Sequence, residues 1–316
     1  MKKFIGSTAA IALLSLFAFL RARSLESSHR PTLIGAEVNG KAVSICVISD
    51  PAIDEASGIA ISRQHSDAVW IHNDSGDLPR LFLVGFDGQT KAIVTVRDFV
   101  PMDWEDMCSF ELDGEKWLLI GDIGDNGHVR GKSAAVCQLL LLKEPAAGKN
   151  DASEPQEITT EAFATVQYSY PEGPRDCESL AVDTTNREIL LLSKSDPVNC
   201  ALFRLPLSLK KGKSTVVAES IASLGVPYAT AMDISADGKR LAVVNMFSGA
   251  MVDRQDAESW SDACRRPVTL LTLPQRKQGE SVCFTADGGA LLLNSEKTRQ
   301  PLWKIQLETS LPVQVN

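Results

Sequence analysis

The chain has 316 residues, of which 44% are hydrophobic and 23% are charged, so its composition is that of a folded globular protein and excludes an intrinsically disordered one. The formal net charge is −8, and because residues 1–30 contribute +4, the remaining residues carry −12. An acidic chain without basic runs lacks the Lys/Arg footprint that nucleic-acid binding needs, and it is compatible with cationic ligands.

Residues 1–30 have the layout of a signal peptide, because two lysines near the start precede an apolar stretch from Ile5 to Leu20. This stretch is shorter than the roughly 20 residues that a membrane span prefers. Arg21 and Arg23 crowd the expected cleavage point, so an uncleaved N-terminal anchor is the alternative. We therefore expect a periplasmic or secreted protein, with one folded domain over residues 31–316 and no membrane contact beyond the N-terminal segment.

A repeated pattern determines the expected fold. Five segments share an acidic or polar cluster, a short strand, a polar turn and a second apolar strand, and short apolar runs bounded by Gly and Asp are typical of strands. The segments begin at Glu55, Asp103, Asp176, Thr230 and Gln278. Their third residues are Ser57, Glu105, Glu178, Met232 and Glu280.

Further apolar runs complete each repeat. Third strands are predicted at Leu81–Phe86, Val136–Leu142, Ala201–Leu205, Gly249–Asp253 and Leu302–Gln306. Fourth strands are predicted at Ala92–Val96, Ala162–Tyr168, Thr215–Ala218 and Val268–Leu273. The last repeat has no fourth strand of its own, and Ala42–Ile48 is expected to supply it. Residues 145–155 are predicted to form a surface loop, and Asp256–Cys264 one short helix.

These elements predict an all-β fold, a β-propeller of five four-stranded blades that an N-terminal strand closes into a ring. Six blades is an alternative, because the second repeat is long. A two-sheet sandwich is a second alternative, but it gives no reason for the same acidic cluster to recur before one strand of most repeats. We expect a monomer.

In a propeller, residues before the first strand and after the second strand of each blade meet at one rim of the channel. Oxygen ligands with few imidazoles suit Ca²⁺ or Mg²⁺. The predicted metal ligands are Glu105, Asp106, Asp122, Asp125, Glu178 and Glu280. The residues predicted to contact a small polar ligand are Asn73, Asp74, Asp103, Asn126, Arg130, Asp176, Lys194 and Glu296. Such carboxylates also hydrogen-bond to neighbouring turns in propellers, which is the alternative for each of them, above all for Glu55 and Asp233.

Three further sequence observations concern this predicted site at the channel mouth. The loop with Asp122, Asp125 and Asn126 is the densest in oxygens, and glycines flank it. His72 and His128 are the histidines near the rim, and we expect them to form hydrogen bonds rather than act as bases. The G-x-S-x-G, H-E-x-x-H and P-loop signatures are absent, which leaves a serine hydrolase, a zincin or a nucleoside triphosphatase without support.

The run Asp103-Trp-Glu-Asp-Met, followed by Ile120-Gly-Asp-Ile-Gly-Asp-Asn and Arg130, resembles a group of poorly characterised secreted bacterial β-propeller proteins. More distantly, the repeated acid-x-Glu pattern is similar to calcium-dependent phytase propellers and to lactonase-type propellers. That resemblance implies a carboxylate cluster at the channel mouth that binds Ca²⁺. Two departures are evident: few Lys or Arg residues are present to hold a polyphosphate, and Ser57 stands where a lactonase-type pattern has Glu.

Three functional hypotheses follow. The first is an extracytoplasmic binding protein that holds Ca²⁺ or a small polar ligand at the acidic rim. The second is a metal-dependent hydrolase of phosphoesters or lactones that uses the same carboxylates. The third is an interaction scaffold of the cell envelope. The seven cysteines, an odd number without C-x-x-C spacing, indicate neither a zinc site nor a particular disulfide.

Overall fold

The computed structural model describes residues 37–38, 42–126, 130, 137–147, 154–194 and 200–307. The predicted targeting segment and His128 therefore lie outside the described residues, and export stays a prediction. Within the described ranges, no helix has the length and apolar character that crossing a bilayer would require.

Five antiparallel four-stranded units account for most of the structure. Blade I contains β3 (Ala56–Ile61), β4 (Ala68–Asn73), β5 (Arg80–Gly85) and β6 (Thr90–Val96). Blade II contains β7 (Trp104–Leu112), β8 (Glu115–Asp122), β9 (Cys137–Lys143) and β11 (Ala164–Ser169). Blade III contains β12 (Cys177–Asp183), β13 (Glu188–Ser193), β14 (Cys200–Pro206) and β16 (Glu219–Leu224). Blade IV contains β17 (Ala231–Ile234), β18 (Arg240–Val244), β19 (Gly249–Asp253) and β20 (Thr269–Leu271). Blade V contains β21 (Ser281–Phe284), β22 (Ala290–Asn294), β23 (Pro301–Gln306) and β2 (Ala42–Val47).

The blades form a closed ring. The first strands contact one another in the order β3, β7, β12, β17, β21 and back to β3, so each blade presents its first strand to the axis. Strand β2 pairs antiparallel with β23, which joins the start of the described chain to its end. The prediction of a five-bladed β-propeller closed by an N-terminal strand is confirmed, and six blades is wrong.

Three further strands link neighbouring blades. Strand β10 (Gln156–Thr160) pairs parallel with β6 of blade I, and β15 (Gly212–Val217) pairs parallel with β11 of blade II. Strand β1 (Glu37–Val38) pairs parallel with β20 of blade IV. Each of these strands precedes the fourth strand of one blade and pairs with the outer edge of the blade before it. The described part of the second repeat therefore contains β10 as an additional linking strand and no additional blade.

The predicted fourth strand at Thr215–Ala218 was wrong in its partner. Most of those residues belong to β15, which extends blade II, whereas β16 is the outer strand of blade III. The run of Thr and Val residues is strand-forming in either sheet, and local pattern carries no information about which edge it pairs with.

The short helix α1 (Trp260–Ala263) covers the outer edge of blade III. Ser259 is its N-cap and accepts the Asp262 N–H, while the Ser261 hydroxyl donates to the Ile221 carbonyl of β16 at 2.7 Å. An edge strand that is covered in this way is protected from pairing with another chain. The prediction of one short helix within Asp256–Cys264 is confirmed.

The hydrophobic core is divided among the five interfaces between neighbouring blades, each of which has its own cluster of buried side chains. Trp70 and Trp104 are both fully buried between blades I and II, as expected for packing residues. All seven cysteines are free. Cys108 and Cys283 lie buried on the first strands of their blades, where other repeats have Ala or Ser.

Candidate functional site

The start of every first strand lies beside the end of its second strand. The register pairs Ala56 with Asn73, Trp104 with Asp122, Cys177 with Ser193, Ala231 with Val244 and Ser281 with Asn294. Because the first strands also contact one another around the ring, the residues at these ends meet at one mouth of the channel. We call this end the upper face, and the end with the turns between first and second strands the lower face.

In three repeats, a β-bulge changes the direction of the third residue's side chain. The register shifts between Ala56 and Gly58, between Trp104 and Met107, and between Cys177 and Ser179, so Ser57, Glu105 and Glu178 each fall within an irregularity. A bulge bends the strand and redirects its side chain, which is why bulges are frequent beside functional sites. Met232, the apolar third residue of blade IV, instead pairs regularly with Val243. Glu280, the polar third residue of blade V, lies just before β21, where the register has no shift.

Three carboxylates converge between blades I and II. Asp74 follows β4, Asp103 precedes β7, and Glu105 lies in the β7 bulge; one oxygen from each lies within 4.8 Å of the others. Glu105 is only 2% exposed, and its Oε1 has no hydrogen-bond partner among the described residues. We call Asp74, Asp103 and Glu105 the acidic trio.

When they are ionised, the carboxylates of the trio repel one another. Burial, followed by the charges of Glu178, Asp74 and Asp103, raises the pKa of Glu105 well above its usual value. Burial and the charge of Asp74 raise the pKa of Asp103 to about 6. Groups with this environment bind either protons or a cation, because a buried, uncompensated carboxylate is costly.

Gly124 forms one wall of the trio. A Cβ atom at this position would overlap Oε1 of Glu105 and lie 2.5 Å from Oδ2 of Asp103. A side chain would fit there only if the two carboxylates moved, so the glycine lets this backbone approach them closely.

Arg130 and Asp122 hold that wall in place. Oδ1 of Asp122 accepts hydrogen bonds from the Asp103 N–H at 2.8 Å and from Nη2 of Arg130 at 2.7 Å. Nε of Arg130 donates to the Gly124 carbonyl at 2.6 Å. The side chains of this ion pair are 3% and 1% exposed, so water has little access to compete with their hydrogen bond. Asp122, predicted as a metal ligand, thus orients Asp103.

The rest of the same loop is also held by the neighbouring blade. The Asp125 N–H donates to Oδ1 of Asp176 at 2.8 Å, and Oδ1 of Asp125 accepts the Arg130 N–H at 3.0 Å. Asn126 is exposed at the surface of this loop. Asp125 and Asp176 therefore connect blade II to blade III beside the trio.

Lys194 forms an ion pair with Glu178 on blade III. Burial raises the pKa of Glu178 to about 7, although Lys194 acts in the opposite direction. The Lys194 charge also acts on Glu105 and Glu280, so it is the central cation of the mouth.

Glu280 and Glu296 form a second acidic pair on blade V. Burial, a hydrogen bond with Glu296 and the Glu296 charge raise the pKa of Glu280 to about 8. The amide of Gln278 donates to Oε1 of Glu296 at 2.6 Å. Nearby, burial lowers the pKa of Arg276 to about 10, and its Nε and Nη1 have no partner among the described residues. Sequence reasoning missed Arg276, although it lies just two residues before the Gln278 repeat.

Asp106 and Asp233 connect blades. Oδ2 of Asp106 accepts the N–H groups of Leu180 at 2.9 Å and Met232 at 3.1 Å, while Oδ1 accepts its neighbour's N–H. Oδ2 of Asp233 accepts the Phe284 N–H at 2.7 Å. Both oxygens of Asp106 are therefore already used by backbone donors of three blades, and the trio does not include it.

Asn73 and His72 also have structural contacts. The Asn73 amide donates to the Ala52 carbonyl at 2.7 Å and to Asp77 at 2.9 Å. His72 is fully buried beside Trp104, with ring centroids 5.2 Å apart, and burial lowers its pKa to about 4. Its Nδ1 lies 2.8 Å from the Asn73 carbonyl, so His72 forms a hydrogen bond, as expected, and also packs in the core.

The structure brings together most of the predicted residues but distributes their roles differently. Of the predicted metal ligands, Glu105 alone lies in the trio, and its two partners, Asp74 and Asp103, had been expected to contact a ligand. Their position after a second strand and before a first strand was visible in the sequence. Their proximity depends on the packing of blade I against blade II.

Comparisons with known proteins add little to these observations. No protein-family model matches the chain, and no curated protein matches it. Among solved structures, the PQQ-bound aldose sugar dehydrogenase from Streptomyces coelicolor matches with a TM-score of 0.48 and 9% identity, over 87% of this chain and 100% of that one. A nidogen/laminin complex matches with a TM-score of 0.42 and 10% identity, over 77% of this chain and 73% of the other. The chain is a five-bladed β-propeller on the strength of its own five sheets.

Proposed function

We propose that the protein binds a divalent cation, with Ca²⁺ the best fit, at the acidic trio, and that the cation presents open coordination positions to a small polar ligand. One observation carries this proposal: three carboxylates each place an oxygen within 4.8 Å of the other two, and Oε1 of Glu105, the buried member, has no partner among the described residues. The resemblance to phytase-type propellers agrees with this cation.

The donor set favours Ca²⁺ over other metals. Ca²⁺ takes 6–8 oxygen ligands, and carboxylates are its usual protein donors. Three carboxylates leave several positions for water or for a ligand, and no cysteine or histidine belongs to the trio, which disfavours zinc. A cation there also offsets the mutual repulsion that raises the pKa values of Asp103 and Glu105.

Calcium titration followed by thermal melting tests the proposal. At a Ca²⁺ concentration about 100-fold above the dissociation constant, binding stabilises the native state by about 2.7 kcal/mol, which corresponds to a rise of roughly 5 °C. Glu105→Gln removes one ligand charge and should abolish most of the rise. Glu157→Gln, on the exposed side of β10, is the matched control and should leave it intact. No rise in the unmodified protein, or an equal rise in Glu105→Gln, would contradict the proposal.

The same preparation distinguishes binding from hydrolysis. p-Nitrophenyl phosphate and a simple lactone serve as generic substrates, with and without EDTA. The proposal expects Ca²⁺ binding without turnover. Turnover that EDTA abolishes and Glu178→Gln reduces would instead identify a metal-dependent hydrolase, with the cation activating water.

We also propose that the chain is exported and acts outside the cytoplasm as a monomer. The support is the signal-peptide layout of residues 1–30, with the acidic charge of the rest of the chain. Intact mass measurement of the protein recovered from the cell envelope tests export. We expect a mass lower than that of the full chain by the N-terminal segment, or the full mass in the membrane fraction if the segment is an anchor. Full-length protein in the cytoplasm would contradict export.

A further inference from the structure

A second concave site lies at the lower face, at the opposite end of the channel from the acidic trio. Turns and strand ends from all five blades surround a cavity of about 500 Å³. Ser109 comes from blade II, Thr184 from blade III, Ser235 from blade IV and Ala286 from blade V, while blade I contributes Arg63. This volume falls in the range of small-molecule sites.

Arg63 is the cation of this cavity. Its Nε donates to the Ser109 hydroxyl at 3.1 Å and its Nη2 to the Ser109 carbonyl at 3.0 Å. A guanidinium has five N–H donors, so these two bonds fix its plane and leave about three donors for another partner. Among the described residues, no carboxylate lies within ion-pair distance of Arg63, although most arginines of the same set are paired.

The neighbouring acidic groups form their hydrogen bonds with other donors, although the charge of Arg63 acts on Asp233. Oδ1 and Oδ2 of Asp233 accept the N–H groups of Ile234 at 2.9 Å and Phe284 at 2.7 Å, so this carboxylate is directed at backbone donors. Glu111, the one carboxylate among the described residues that line the cavity, is exposed to solvent. At the same turn Lys116 donates to the Arg63 carbonyl, and the buried Glu144 carboxylate accepts the Arg63 backbone N–H at 3.0 Å, so the turn adds one charge of each sign beside the guanidinium.

Hydroxyl groups complete the lining. Ser66 and Thr184 border the cavity, and their side chains form no hydrogen bond with a described residue. A planar, oriented guanidinium flanked by hydroxyl donors matches the geometry with which proteins recognise carboxylate and phosphate groups.

We propose that the lower-face cavity binds a small molecule through a carboxylate or phosphate group held on Arg63. This site is independent of the cation site, because the two lie at opposite ends of the channel and share no residue. The proposed ligand of the lower face is therefore an anion, although the chain as a whole is acidic.

Isothermal titration with two probes, citrate and inorganic phosphate, tests this site in EDTA-containing buffer. We expect saturable binding of at least one probe; a preference for citrate indicates a carboxylate ligand, and a preference for phosphate a phosphate ligand. Arg63→Gln should weaken binding by about tenfold or more, since a charge-assisted hydrogen-bond pair is lost. Arg187→Gln, which removes an exposed arginine paired with Asp113, is the matched control and should bind normally.

A second variant is needed because Arg63 also donates hydrogen bonds to Ser109, so a loss of binding in Arg63→Gln alone would not distinguish a lost ligand contact from misfolding. Ala286→Asp places a carboxylate at an exposed position of the cavity wall and should weaken binding by like-charge repulsion. No saturable binding of either probe to the unmodified protein would overturn the proposal. Unchanged binding in both Ala286→Asp and Arg63→Gln would overturn it as well.

Discussion

Replacing Arg130 with methionine is expected to destabilise the protein by about 3–5 kcal/mol, because it leaves the buried Asp122 carboxylate without its ionic partner. The pair is almost fully enclosed, at 3% and 1% exposure, so water cannot replace the lost guanidinium. The Gly124 carbonyl also loses its donor, and the wall of the acidic trio loosens. We therefore expect weaker Ca²⁺ binding in the fraction that folds.

Urea denaturation measures this change, with Arg187→Met as the control. Arg187 pairs with Asp113, but the two side chains are 50% and 53% exposed, and such surface pairs contribute about 0–1 kcal/mol. If the two variants lost similar stability, Arg130 would not be the support of the site that its contacts indicate.

The protein is expected to lose stability as the pH rises from about 4.5 to about 8 in the presence of EDTA. The pKa of Glu280 rises to about 8 on folding, and burial raises that of Asp233 to about 7, so the native state binds more protons than the unfolded chain throughout this window. Stability is therefore fully present below the unfolded pKa values and declines until the folded pKa values are passed. The decrease is on the order of a few kcal/mol.

Glu280→Gln tests the origin of this slope. The amide stays neutral and still reaches Glu296, so the variant should be less sensitive to pH and, at pH 8, more stable than the unmodified protein by roughly 1–3 kcal/mol. Glu157→Gln on the exposed face of β10 should retain the original slope. Melting temperatures at pH 5, 6, 7 and 8 provide the comparison, and an unchanged slope in Glu280→Gln would assign the effect to other groups.

The repeat pattern was sufficient to predict the architecture. Five acidic or polar clusters, each followed by two apolar runs, correspond to β3–β4, β7–β8, β12–β13, β17–β18 and β21–β22. The missing fourth strand of the last repeat led directly to β2 as the closing strand. These predictions succeeded because strand periodicity and turn residues are local properties of the chain.

The linking strands could not be predicted in the same way. Strands β10 and β15 have ordinary strand composition, and their parallel pairing with a neighbouring blade depends on which edges remain open after the blades assemble. Pairing partners are non-local, so no strand was predicted at Gln156–Thr160, and the residues of β15 were placed in the wrong blade.

The candidate site likewise has some features that the sequence predicted and others that only the packing of the blades decided. The alternation of acids with strands determined that carboxylates such as Glu105, Glu178 and Glu280 would gather at one mouth, because strand direction fixes which ends of the blades meet. The tertiary structure alone decided that Asp74 and Asp103 join Glu105, that Asp122 pairs with Arg130, and that Asp106 connects three blades. The physical reason is that a carboxylate's role depends on what lies within about 3–5 Å of its oxygens. Those neighbours come from bulges and from the packing of one blade against the next, which no single repeat contains.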